Sequence, residues 1–74
     1  MERGWLIKKR NKLNLTQQEV ADLSNVSRPY YTMLEQGIRN PSVASSKAIA
    51  KTLGFNWTYF FEEKSNETKQ LKAN

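Results

Sequence analysis

A chain of 74 residues has room for one domain with a limited core, and this one contains neither cysteine nor histidine. That removes disulfides, thiolate nucleophiles, the commonest general base and the commonest metal ligands, so no enzyme, metal site or cofactor is expected. The net charge is +5, and the surplus sits in residues 1–61, with nine Lys/Arg against four Asp/Glu, while residues 62–74 carry three of each.

A basic body points to an anionic partner, nucleic acid first, although charge alone fits an ordinary soluble protein equally well. No segment approaches the ~18 consecutive apolar residues of a membrane span. The N-terminal MERGWLIKKRNK lacks the apolar run of a signal peptide. A cytoplasmic protein is expected, without membrane or small-molecule partners.

The first helix is predicted over about Glu2 to Lys12, with Trp5, Leu6 and Leu13 inward and Arg3, Lys8, Lys9 and Lys12 mostly outward. Asn14 follows, a residue that tolerates the left-handed backbone of a helix end, and Leu15 then enters the core. Thr16-Gln17-Gln18-Glu19 reads as a capping box and fixes the start of the second helix, whose apolar face is Val20, Ala21 and Leu23. Ser27 is the next N-cap. Pro29 lies in the first turn of the third helix, where its missing N–H costs nothing. That helix should run from Arg28 to Gln36 and stop at Gly37. Ser42 caps a fourth helix with Val43, Ile49, Ala50 and Leu53 on one stripe, ended by Gly54. A short fifth helix is expected after Asn56. Residues 1–61 thus form the domain, and 62–74 a polar, flexible tail.

Helices two and three are joined by a short turn, as in a helix-turn-helix. Ala21 is small where the helices must approach. Asn25 occupies the turn position that needs a left-handed backbone. Val26 can plug the angle, and Tyr31 and Leu34, three apart, face inward against Val20 and Leu23. Arg28, Pro29, Thr32 and Met33 are left on the outer face, with Tyr30 at its edge.

LTQQEVADLSNVSRPYYTMLEQGIRNPS, with the Ile-Ala-x-x-Leu-Gly of residues 49–54, resembles the phage-repressor-type (Cro/C1, XRE family) helix-turn-helix regulators over about residues 4–61. The resemblance implies an all-α, compact four- to five-helix bundle that binds double-stranded operator DNA, usually as a homodimer on two-fold-related half-sites. It further implies a transcriptional regulator, a repressor by preference, of a prophage, mobile element or small bacterial system. Lys9 and Leu13 reverse the family's usual apolar and polar positions, and Asn14 and Asn25 replace common glycines.

By the same resemblance Gln17 and Gln18 contact phosphate, and Ser27, Arg28 and Pro29 begin the recognition helix. Arg28 is the best candidate for guanine O6/N7. Thr32 and Met33 touch base edges or thymine methyls, Tyr30 bonds a phosphate, and Arg39 and Asn40 form a second backbone clamp. Arg10 and Glu35 match a structural ion pair of the family. The aromatic run Phe55, Trp57, Tyr59, Phe60 and Phe61 exceeds what so short a segment should bury, so a homodimer contact is expected there. The rival is a protein-interaction module of the same fold that acts on another regulator through this aromatic end.

Overall fold

A computed structural model describes residues 2–62; the expected flexible tail falls, from residue 63 on, outside the described residues. The helices are α1 (Gly4–Lys12), α2 (Gln17–Leu23), α3 (Arg28–Gln36) and α4 (Val43–Leu53). A single turn over residues 59–62 makes a short α5. No strand occurs among the described residues, so the fold is all-α.

Each boundary follows from local chemistry. α1 begins at Gly4, two residues later than its sequence suggests. Arg3 is withheld from the helix because its N–H donates to the Glu35 carbonyl at 2.8 Å. Asn14 (φ 59°) then reverses the chain after α1. α2 carries the complete capping box: Glu19 N–H donates to Thr16 Oγ1 at 3.0 Å, and Thr16 N–H to Glu19 Oε1 at 2.8 Å. Such a cap is worth about 1 kcal/mol. Asn25 (φ 57°) makes the turn between α2 and α3. Val26 N–H reaches back to the Ala21 carbonyl at 3.0 Å. Ser42 Oγ accepts from Ser45 N–H to cap α4, and Gly54 (φ 78°) closes it.

Leu6, Val20, Ala21, Tyr31, Leu34, Ile49, Leu53 and Phe60 form one core, with Trp5, Leu15, Val26, Tyr30 and Phe55 packed around it. Three residues expected inside are not: Leu13, Leu23 and Val43 are 47, 66 and 50% exposed. In α2 the buried arc runs through Val20, Ala21 and Ser24. At 100° per residue Leu23 falls about 100° from the centre of that arc. The buried Ser24 takes its place, its hydroxyl 2.9 Å from that of Thr52 on α4. In α4 the stripe is Ser46, Ile49, Ala50 and Leu53, and Val43 extends it one turn past the edge of the core.

The aromatic run is closed mostly within the chain. Trp5 meets Phe55, Tyr59 and Phe60 edge-on, with ring centroids 5.4, 4.6 and 5.1 Å away. These are favourable aromatic geometries. Phe60, expected at a dimer contact, is a core residue, and Phe55 is half-buried. Lys9 lays its ammonium over the Phe55 and Tyr59 rings at 5.3 and 5.8 Å. A lysine stem therefore covers apolar surface at this position.

Candidate nucleic-acid interface

Ser27 starts α3 by accepting the Tyr30 N–H on its Oγ at 3.2 Å. Pro29 occupies the first turn, and Gly37 (φ 77°) ends the helix. Tyr31, Leu34 and Glu35 face inward. Arg28 and Pro29 are exposed, and Thr32 and Met33 are half-buried. The outer face named from the sequence is thus the face turned to solvent.

The inner edge is fixed by charge. Arg10 of α1 donates from Nε to Glu35 Oε2 at 2.6 Å and from Nη2 to Glu35 Oε1 at 3.2 Å. Its Nη1 donates to the Leu15 carbonyl at 3.0 Å. Both partners are largely buried, at 14 and 3% side-chain exposure. Burial alone pushes the Glu35 carboxyl up, but bonds from Arg10 and Gln17 and the Arg10 charge outweigh it and hold it below the ordinary carboxylate value. Glu35 in turn raises the Arg10 guanidinium, chiefly through their hydrogen bond. The Tyr31 hydroxyl lies in the same buried space without a well-aligned hydrogen bond, and burial pushes its phenol far up.

Gln17 links this pair to the outer face. Its Nε2 donates to Glu35 Oε1 at 2.8 Å, and its Oε1 accepts the Thr32 hydroxyl at 2.9 Å. Gln17 therefore reaches α3 with its amide largely committed, whereas Gln18 is exposed and bonds Asp22 within α2 at 2.9 Å. The structure brings Gln17, Gln18, Arg28, Pro29, Thr32 and Met33 into two adjoining depressions that share Arg28, whereas Ser27, Tyr30, Arg39 and Asn40 lie outside them. Asn11, Asn14, Thr16, Gln17 and Gln18 line one; Pro29, Thr32 and Met33 line the other.

Tyr30 sits at the far edge. Its hydroxyl oxygen accepts the Ser42 N–H at 3.3 Å, and the Arg39 guanidinium lies 5.3 Å above its ring. Burial pushes this phenol up, yet the bonds to Ser45 and Ser42 leave it below its ordinary value.

Arg3 is the residue that the sequence hid. Expected on the outside, it is 6% exposed. It donates to the Leu34 carbonyl at 2.6 Å, the Arg39 carbonyl at 2.9 Å and Asn40 Oδ1 at 2.7 Å. It ties the end of α3 and the following loop to the start of α1, and it occupies one acceptor of Asn40. Two of its acceptors are main-chain carbonyls more than thirty residues away, and no side-chain pattern in the sequence marks such a partner.

Two short helices joined through a left-handed Asn, with the solvent face of the second held by the first and by α1, define a helix-turn-helix protein. The Helix-turn-helix family model matches residues 6–60, and the chain belongs to this family, of the XRE type. It is 54% identical to the uncharacterized HTH-type transcriptional regulator YqaF of Bacillus subtilis (strain 168), across 93% of this chain and 91% of that protein. It is 37% identical to the uncharacterized HTH-type transcriptional regulator YqaE of the same organism, across 84% of this chain but only 53% of that protein. No helix of the described residues is long and apolar enough to cross a membrane.

Proposed function

We propose that the chain is a sequence-specific DNA-binding transcriptional regulator, a repressor, that inserts α3 into the major groove of an operator. The observation that carries this reading is the exposed Arg28 at the start of a solvent-facing helix whose inner edge is clamped by Arg10 and Glu35. A cation at a helix N-terminus opposes the helix dipole, so a functional use outweighs a structural one. Arg28 would donate to guanine O6/N7, beside Ser27, Pro29, Thr32 and Met33. Gln18, the remaining amide hydrogen of Gln17, Tyr30, Arg39 and Asn40 would hold phosphates and set the register.

The family and the named relatives support a transcriptional role. Tyr59 and Phe61, 40 and 37% exposed, are the aromatic side chains most open to a second copy, with the half-buried Trp57 beside Phe61. A homodimer would place two α3 helices on two-fold-related half-sites about 34 Å apart. The protein would then be cytoplasmic and gathered on the nucleoid when bound.

A salt titration tests this. Affinity for duplex DNA should fall steeply between roughly 50 and 200 mM salt as counterions are released. Negligible affinity for every duplex at low salt, with capture of another regulator through Tyr59 and Phe61, would instead select the interaction-module reading.

A further inference from the structure

We propose that the outer face of α1 is a docking surface for an acidic protein segment that also carries aliphatic side chains, separate from the face turned to DNA. The inference goes beyond the DNA reading and does not depend on it.

Trp5, Lys8, Lys9 and Lys12 of α1 and Tyr59 of α5 line an open groove of about 380 Å³. At 100° per residue, its α1 side chains centre about 160° round the helix from Arg10 and Asn11, which line the depression beside Arg28. The groove and that depression thus lie on opposite sides of α1. Among the described residues no carboxylate pairs with the three lysines. Glu35 is engaged by Arg10, Glu19 by the Thr16 cap, Asp22 by Gln18 and Glu62 by Thr58. Lys9 and Lys12 suit the last turn of the helix, where a cation complements the dipole. Lys8 lies a turn before Lys12, at i,i+4, where like charges repel. An anion from outside the chain relieves that repulsion.

The aromatic wall selects the kind of anion. Tyr59 is exposed and Trp5 half-buried, so the groove offers apolar area beside the charges. A phosphate backbone has no aliphatic group to bury there, and a nucleic-acid base needs an open ring face on which to stack. Lys9 already lies over the Phe55 and Tyr59 rings, and Trp5 is met edge-on by three rings. A protein segment supplies what both halves of the groove want. Its carboxylates meet Lys8 and Lys12, about 6 Å apart along the helix axis, and an aliphatic side chain covers the Trp5–Tyr59 edge.

The test titrates the isotope-labelled full chain with a short synthetic peptide of repeating Glu-Glu-Leu, followed by the NMR shifts of its amides and of the Trp5 indole. Saturable shifts should centre on the five groove residues. Lys8→Gln combined with Lys12→Gln, both exposed positions, should weaken the peptide about fivefold, the worth of two exposed ion pairs. Exchanging each leucine of the peptide for serine should weaken it about fourfold, as the loss of one buried methylene does. Absence of saturable binding, shifts centred on Arg28 and Thr32, or an affinity that the double substitution leaves unchanged overturns the proposal. Shifts at the groove produced by duplex DNA would assign it to nucleic acid, and shifts there that grow with protein concentration alone would assign it to a second copy; either overturns it. Failure to bind any duplex at low salt would overturn the DNA reading and leave this one standing.

Discussion

At the scale of single residues, several groups owe their role to a partner far away in sequence. Glu35 is the clearest case. Its folded-state carboxyl lies below the ordinary value, so the unfolded chain binds a proton more readily than the folded one as pH falls. The contribution of the Arg10–Glu35 pair is therefore complete above the unfolded carboxylate value of about 4.3. It is lost as pH drops through the lower folded value. Replacing Glu35 with Gln should cost about 3 kcal/mol at neutral pH, because it leaves Arg10 buried without its counter-charge. It should also flatten the loss of stability between about pH 5 and pH 3. Urea unfolding across that range checks both; an unchanged acid slope in Glu35→Gln would assign the acid sensitivity to other carboxylates.

Elements set the orientation of the reading face. The sequence made α3 legible to the residue, because Ser27, Pro29 and Gly37 are local signals whose chemistry acts within one turn. Asn25 was legible for the same reason: few residues other than glycine accept its backbone. Faces were less legible. Leu23 and Val43 looked like core because apolar spacing records periodicity, whereas burial also depends on where the neighbouring helix stops. Arg3 was hidden altogether, since its acceptors lie at the end of α3 and in the loop beyond it. Arg3→Met retains the apolar stem but removes these bonds and leaves their acceptors unsatisfied. It should destabilise the domain by about 2–4 kcal/mol, a large fraction of what a domain this size possesses. A midpoint in urea within error of the unsubstituted chain would reduce Arg3 to a bystander.

Over the whole molecule, the fold class was legible, because a capping box and a turn motif converge on one architecture, and the same signals named the solvent-facing side of α3. The aromatic end was misjudged in amount: Trp5, fifty or more positions upstream of its partners, buries rings that the local segment cannot. What remains outward, Tyr59 and Phe61 with the half-buried Trp57, is a smaller surface for a second copy. In a two-fold complex, whatever Arg28 reads would occur twice, in half-sites related by a two-fold rotation. The most direct measurement is selection of binding sites from random duplex DNA by the unsubstituted chain and by Arg28→Ala, side by side. The unsubstituted chain should recover a two-fold-related site, and Arg28→Ala should relax one guanine position in each half-site at a cost of about 1–3 kcal/mol. Recovery of the same site with the same preference by both proteins would contradict the claim that α3 reads DNA through Arg28.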